Sequence, residues 1–145
     1  MSNGIPPAVG VVVVSHSGDV AESTVRLVAQ LANLADDGPR LIAAGGLADG
    51  SIGTDAVRIA DAVRRADAGS GVVIMADLGG AVLSAATALE ELIEPELAAR
   101  VAISGGPLVE GTFVAAVQAS AGDSLDGVRS AANDAAGMDK LGQSA

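Results

Sequence analysis

Cysteine and aromatic residues are nearly absent from this sequence. Its 145 residues include no cysteine, tryptophan or tyrosine, one phenylalanine and one histidine. Without cysteine the chain has no disulfide, thiolate or iron–sulfur chemistry, which favours a cytoplasmic setting. Half of the residues are hydrophobic, so a core must be built almost wholly from Ala, Val, Leu and Ile.

Positive charge is also scarce. The chain has 18 acidic and 8 basic residues, for a formal net charge of −10. Proteins that bind nucleic acid or an anionic membrane surface need basic patches, so neither partner is expected. The start, "MSNGIPPA", lacks the basic and hydrophobic parts of a signal peptide. The longest apolar run, 9–14, is far shorter than the roughly 20 residues that span a bilayer, and we expect a cytoplasmic protein.

Apolar runs alternate with stretches of helical periodicity. Four continuous runs predict buried strands, at 9–14, 40–46, 71–77 and 100–104. Such strands are typical of a parallel sheet that helices cover on both sides. The predicted fold is a small doubly wound α/β domain, with a mainly parallel sheet of about four strands and helices on both faces. We place this domain at 8–136, between flexible tails at 1–7 and 137–145.

Helical spacing gives the helices that should cover the sheet. The first should begin close behind His16, with Asp19 and Glu22 as a capping box, and its predicted inner stripe is Val20, Thr24, Leu27, Leu31 and Leu34. Thr54 or Asp55 should cap the second. The third is predicted at roughly 80–93 with an inner face of Val82, Ala86, Leu89 and Ile93. Two further helices are predicted at 112–121 and about 123–136, after a loop "GGPLVEG".

Ligand sites of open parallel sheets lie beyond the carboxyl ends of the strands. His16 follows the first predicted strand and Asp77 ends the third, so both should reach one edge of the sheet. There the carboxylate could fix the tautomer and orientation of the imidazole. Two simpler interpretations stay open: a loop histidine that only bonds backbone, and an aspartate that caps the next helix. The residues predicted to line this edge are Ser15, Ser17, Gly53, Thr54, Gly79 and Gly80.

Several chemistries are disfavoured by the motifs. One histidine with scattered carboxylates does not provide a zinc site, and no acidic stretch has the spacing of a calcium loop. A serine hydrolase would need a nucleophile elbow, G-x-S-x-G, which is missing. "GGLADGSIG" is not a dinucleotide or phosphate-loop motif, and the single lysine, Lys140, lies near the end. No metal or cofactor is predicted.

A lone, oriented histidine remains a candidate for nucleophilic catalysis on its own ring. An imidazole nitrogen can take a phosphoryl group and pass it on, given orientation and nearby N–H donors. The helix behind the 45–54 loop and the "LGG" turn at 78–80 could offer such donors to an anion.

Four segments in series resemble one family: "VVVVSHS", "GGLADGSIGTDAVRIADAV", "GVVIMADLGGAVLSAATALEEL" and "GGPLVEGTFVAAV". Together they are similar to the DhaM phosphotransferase subunits of phosphoenolpyruvate-dependent dihydroxyacetone kinases, relatives of the mannose-type enzyme IIA domains of the sugar phosphotransferase system. The resemblance covers about 8–122.

This resemblance implies a phosphotransferase function. His16 matches the histidine that accepts a phosphoryl group from the phosphocarrier HPr, on Nε2 by analogy, and Asp77 matches the aspartate that bonds its ring. The group would pass to ADP on the DhaL subunit, and from there to dihydroxyacetone on DhaK. A homodimer is implied as well. Two alternatives stay open: a mannose-type enzyme IIA of a sugar transporter, and a non-catalytic α/β regulatory module.

Overall fold

The computed structural model describes residues 4–142, in which four parallel strands form one sheet with helices on both faces. The strand order is β2-β1-β3-β4. In chain order the elements are β1 (Gly10–Ser15), α1 (Gly18–Leu31), β2 (Leu41–Gly45), α2 (Ala56–Ala66), β3 (Val72–Ala76), α3 (Gly79–Thr87), a π-helical turn (Ala88–Leu92), α4 (Pro95–Ala98), β4 (Val101–Ser104), α5 (Leu108–Ser120), α6 (Leu125–Asp134) and a 3₁₀ turn (Ala135–Gly137). The predicted fold class is confirmed.

The two central strands are buried along their whole length. All six residues of β1 and all five of β3 are buried, which is why both read as continuous apolar runs. Successive side chains point to opposite faces. Val12 and Val14 therefore pack with α2 and α3, whereas Val11 packs with α5 and α6.

The order of the strands creates a crevice at one edge of the sheet. From β1 the chain passes through α1 to β2 on one side, and from β3 it passes through α3 to β4 on the other. The carboxyl ends of β1 and β3 thus flank the switch point, where doubly wound folds bind ligands. Val14 pairs with Ala76, so the residues that follow these two positions are neighbours at this edge.

A glycine at the end of β2 brings α1 close to the sheet. A Cβ on Gly45 would lie 2.6 Å from the carbonyl oxygen of Ser17 and 2.8 Å from Cβ of Ala21. No larger residue fits there unless α1 moves away. The start of α1, just behind His16, is therefore held by direct backbone packing.

The inner face of α1 differs from the prediction. Of the predicted stripe only Thr24 is buried, and Val20, Leu27 and Leu31 are exposed. The buried residues are the small or short ones, Ala21, Thr24 and Val28, because the close approach to β2 leaves no room for leucine. Leu34 lies beyond the end of the helix.

The start of α1 also differs. The predicted capping box of Asp19 and Glu22 is wrong, because Ser17 is the N-cap and its hydroxyl accepts a bond from the N–H of Val20. A serine before the first helical residue satisfies one of the free N–H groups of the first turn. Asp55 caps α2 in the same way, as one of the two predicted candidates.

Two later helices have different bounds from those predicted. The segment predicted as one helix at 80–93 is α3 followed by the π-helical turn, and its small residues Ala81, Ala85 and Ala88 are buried whereas Val82 is exposed. The short α4 was not predicted. Helix α5 begins at Leu108 inside the predicted loop, because Pro107 has a φ of −66° that suits entry into a helix.

The predicted domain bounds and flexible tails stay predictions, and 1–3 and 143–145 lie outside the described residues. Among residues 4–142, no helix is both long enough and apolar enough to cross a membrane.

A salt bridge ties the turn before β3 to the start of β4. Asp67 accepts hydrogen bonds from Nε and Nη2 of Arg100, at 3.2 and 2.7 Å, and from the N–H groups of Gly69 and Gly71. The bonds from Arg100 hold the pKa of Asp67 below its usual value, against the opposing effect of partial burial.

We expect Asp67→Asn to destabilise the fold by about 2 kcal/mol, because charge-assisted hydrogen bonds are lost. Since the folded-state pKa is lowered, this contribution is present above the unfolded pKa of about 4 and disappears as the pH falls through the folded value. Urea unfolding at neutral and acidic pH measures both effects. The control is Asp61→Asn, whose exposed carboxylate lies 3.9 Å from Arg65 and should matter by less than about 0.5 kcal/mol. Equal losses in the two variants would contradict this account.

Candidate active site

The structure brings His16 and Asp77 together at the crevice between β1 and β3. The ring Nδ1 of His16 lies 3.0 Å from Oδ1 of Asp77. The backbone N–H of His16 donates to Oδ2 of the same carboxylate, also at 3.0 Å. Both the ring and the main chain of His16 are therefore fixed by one side chain from the neighbouring strand.

Ser15, the last residue of β1, forms a third hydrogen bond to Asp77. Its hydroxyl donates to Oδ2 of Asp77 at 2.9 Å and accepts from the N–H of Ser17 at 3.0 Å. Ser15 is buried, so it supports Asp77 rather than facing a ligand. The carboxylate thus accepts three hydrogen bonds, all from the end of β1 and the residue after it.

The ionisation of Asp77 sets the tautomer of His16. Partial burial raises the pKa of Asp77, but the bonds from the backbone and ring of His16 and from Ser15 outweigh it, and the pKa lies below its usual value. An ionised carboxylate can only accept, so Nδ1 must carry the proton of the neutral ring. Nε2 is then left with its lone pair, as nucleophilic chemistry requires.

Asp77 does not cap the helix that follows it. The N-cap of α3 is Leu78, which makes no side-chain cap bond. The alternative interpretation of Asp77 as a helix cap is therefore excluded. The alternative for His16, a ring that only bonds backbone, is excluded as well because its Nδ1 meets a carboxylate.

The free nitrogen of His16 lies against the start of α3. A Cβ on Gly80 would lie 3.0 Å from Nε2, whereas one on Gly79 would meet nothing within 4 Å. Within residues 4–142, the N–H groups of Gly79 and Gly80 have no hydrogen-bond acceptor. Such N–H groups at a helix start attract anions. An anion carried on Nε2 would be next to them.

The other predicted lining residues make hydrogen bonds within the protein. Gly53 and Thr54 attach the loop between β2 and α2 to its neighbours, and Ser17 bonds the start of α1. The N–H of Gly53, at a φ of +152°, donates to the carbonyl oxygen of His16 at 2.9 Å. Thr54 is hydrogen-bonded to Ser84 of α3, with 2.6 Å between their hydroxyl oxygens. Ser17 caps α1. Sequence reasoning missed Ser84, which carries no motif or periodic signal.

The site is open to solvent and has an apolar rim. The side chain of His16 is 29% exposed. Three apolar residues of the neighbouring segments are each more than 60% exposed: Ile52 precedes Gly53 in its loop, Leu78 is the N-cap of α3 and Leu83 lies in the second turn of that helix. Within the part of the chain that the structure describes, no three metal-ligating side chains form a cluster.

We expect Ser15→Ala to loosen Asp77 and to reduce the share of His16 in the Nδ1-protonated tautomer, because one of the three bonds to the carboxylate is lost. Long-range ¹H–¹⁵N spectra of the ring report this share directly. Ser51→Ala is the control, since the Ser51 side chain bonds only the exposed Asp49. An unchanged tautomer in Ser15→Ala would show that Ser15 does not position the pair.

Residues 10–129 match the EIIA-man family, described as the PTS system fructose IIA component. A solved structure described as an unknown function protein, EF1359, superimposes with a TM-score of 0.74 at 31% identity. That match covers 88% of this chain and 94% of the other.

Curated relatives carry the DhaM name. The phosphoryl donor subunit DhaM of the phosphoenolpyruvate-dependent dihydroxyacetone kinase from Escherichia coli K12 is 42% identical over 74% of this chain, which spans 22% of that longer protein. The Listeria innocua subunit DhaM of kinase 2 is 37% identical over 74% of this chain and 82% of its own length. The chain therefore belongs to the EIIA-man family, and the DhaM subunits are relatives within reach of sequence comparison.

Proposed function

We propose that this chain carries a phosphoryl group on His16 for a phosphoenolpyruvate-dependent dihydroxyacetone kinase. It would accept the group from HPr and transfer it to ADP on DhaL, for phosphorylation of dihydroxyacetone on DhaK. The observation that carries the proposal is the His16–Asp77 pair, in which Nδ1 is occupied and Nε2 is free. The names of the relatives support the kinase system.

The proposed transfer consists of two displacements at phosphorus. The lone pair of Nε2 attacks the phosphorus held by the donor, so that a bond to Nε2 forms as the bond to the donor breaks. An oxygen of the ADP β-phosphate then attacks in turn, and the electrons of the P–N bond return to Nε2. During both steps Asp77 keeps the proton on Nδ1 and stabilises the positive charge that the ring acquires.

The first turn of α3 would hold the phosphoryl oxygens. Gly80 lies close to Nε2, and the N–H groups of Gly79 and Gly80 have no acceptor within residues 4–142. They need no rearrangement to meet the developing charge, which is the most effective form of electrostatic stabilisation. Gly80 also leaves the space that a substituent on Nε2 needs.

The rim favours protein partners over a free small substrate. Ile52, Leu78 and Leu83 are exposed apolar side chains on the segments that adjoin the His16 loop and start α3, and apolar residues are typical of the centres of protein–protein contacts. We propose HPr and DhaL as direct partners and DhaK as an indirect one. We also propose a homodimeric state and a cytoplasmic location. The chain spans about a fifth of the length of the E. coli relative.

A second candidate is an enzyme IIA that serves a sugar transporter, which the description of the family model favours. It uses the same His16 chemistry but a different acceptor. With phosphorylated protein in hand, transfer to DhaL·ADP supports the kinase function. Transfer only to a transporter subunit supports the alternative.

We expect His16→Ala to abolish labelling of the chain by enzyme I, HPr and radioactive phosphoenolpyruvate. The wild type should gain an acid-labile label, because phosphohistidine hydrolyses in acid. A label on His16→Ala, or none on the wild type beside a competent donor, would contradict the proposal and favour a non-catalytic module.

Asp77→Ala should fold but transfer at least about tenfold more slowly, since the ring loses its orientation. An unchanged rate would remove Asp77 from the mechanism.

We expect Gly80→Ala to slow phosphorylation by about tenfold or more, because its methyl group would stand 3.0 Å from Nε2 and displace the ring or the helix. Gly79→Ala is a matched control in the same turn, where a methyl group meets open space. Gly79→Ala should keep the thermal stability of the wild type or gain slightly, whereas Gly80→Ala should lose some stability because the ring or the helix must move. Equal rates in the two variants would show that the space at Gly80 is not used.

A further inference from the structure

Two hydroxyl groups join the loop after β2 to the helix after β3. Oγ1 of Thr54 and Oγ of Ser84 lie 2.6 Å apart, and both residues are half-buried. This distance is at the short end of the usual range for bonds between hydroxyl groups. Among residues 4–142, it is the only hydrogen bond between the loop 46–55 and α3. We name the pair of Thr54 and Ser84 the hydroxyl clasp.

Neither hydroxyl of the clasp takes the partner that its position in the chain would favour. Serine and threonine in a helix often bond the carbonyl oxygen four residues earlier. Thr87 of α3 does so, with its hydroxyl donating to the carbonyl oxygen of Leu83 at 3.1 Å. Within the part of the chain that the structure describes, Ser84 makes no such bond, and Thr54 does not cap α2 because Asp55 does. The local needs of the helices therefore do not explain this pair.

The two ends of the clasp adjoin two different ends of His16. On the loop side, Gly53 precedes Thr54, and its N–H donates to the carbonyl oxygen of His16 at 2.9 Å. On the helix side, Gly80 lies four residues before Ser84, so the two residues share one side of α3. A Cβ on Gly80 would lie 3.0 Å from Nε2 of His16. The contacts thus form a closed ring, from the carbonyl of His16 through the loop, the clasp and α3 back to Nε2.

The start of α3 has few other attachments besides its connection to β3. Its N-cap, Leu78, makes no side-chain cap bond, and the buried residues of the helix, Ala81 and Ala85, are small. Gly80 is exposed and has no side chain to pack. Because little space separates Gly80 from the histidine ring, the helix start cannot move inwards. Within residues 4–142 the clasp is the hydrogen bond that opposes its movement away from the loop.

We propose that Thr54 and Ser84 are positioning residues for phosphoryl transfer at His16. The clasp sets the separation between the loop that holds the carbonyl of His16 and the helix start beside Nε2. This inference rests on the proposed function. Neither hydroxyl has to touch the phosphoryl group, because the clasp acts through the N–H groups at the start of α3. Donors of this kind are effective only when they are already in place, so a small displacement slows the reaction strongly.

The expected role of the clasp differs from that of Asp77. The clasp makes no hydrogen bond to the ring of His16 or to Asp77, so its loss should leave the Nδ1-protonated tautomer unchanged. Both of its residues are half-buried, so the exposed rim that meets the donor should also stay the same. A broken clasp should therefore lower kcat for phosphorylation by HPr and leave KM for phosphorylated HPr nearly unchanged.

The kinetic test removes one hydroxyl at a time. Thr54→Val keeps the shape of the side chain, and Ser84→Ala removes the other hydroxyl. We expect each variant to lower kcat by about three- to tenfold, with KM changed by less than about twofold. The double variant should be no slower than the slower single variant, because either change breaks the same bond. Thr54→Ser retains a hydroxyl and should restore most of the lost kcat.

Thr87→Val is the matched control, because it removes a hydroxyl from the same helix without reaching the loop. It should keep the kcat of the wild type, and circular dichroism should show that all of the variants are folded. A wild-type kcat in both Thr54→Val and Ser84→Ala would overturn the inference. So would additive losses in the double variant, or an equal loss in Thr87→Val.

Hydrogen exchange tests the clasp without phosphoryl transfer. The N–H of Gly53 is bonded to His16, and it should exchange about tenfold faster in Thr54→Val and Ser84→Ala but not in Thr87→Val. Long-range ¹H–¹⁵N spectra should show the same ring tautomer in all of them. A wild type that HPr does not label would contradict the proposed function itself. In that case equal exchange of Gly53 in all variants would show that the clasp does not hold the loop, whereas faster exchange would show that it does.

Discussion

The carboxylate of Asp77 is the point on which the geometry of the site depends. It stands at the end of β3 and accepts bonds from Ser15 and from the main chain and ring of His16, at the end of β1. The two strands are adjacent and parallel, so the sheet itself sets the separation of these groups. The ring of His16 is therefore positioned by two strands that are buried along their whole length, although the ring itself is partly exposed.

Small residues make this arrangement possible around the crevice. Gly45 lets α1 lie directly on the end of β2, and Gly80 leaves room beside Nε2. At each position a neighbouring group lies so close that a side chain would collide with it. The abundance of glycine and alanine in the sequence thus has a local reason at the site: helices begin there at contact distance from strands and from the histidine ring. Larger side chains would push these helix starts, and their N–H groups, away from the ring.

Much of this could be predicted from the sequence, because the determinants are local or follow from topology. Continuous apolar runs identified β1 and β3, and the parallel arrangement then placed His16 and Asp77 at one edge. The orientation of α1 could not be predicted in this way, because periodicity shows that Val20, Leu27 and Leu31 share a side but not what that side contacts. The bond between Thr54 and Ser84 joins short polar side chains 30 positions apart, and nothing in the residues between them indicates it.

His16 is held at three points: its ring Nδ1, its N–H and its carbonyl oxygen, the last by Gly53. The ring cannot turn to offer its other nitrogen without breaking the bond to Asp77. A reacting group therefore has one line of approach, along the axis of the Nε2 lone pair. Two partners that need this line exclude one another, so under the proposed function donor and acceptor must visit in turn. Steady-state kinetics would then be of the ping-pong type: the chain that carries the phosphoryl group on His16 leaves the donor before it meets the acceptor.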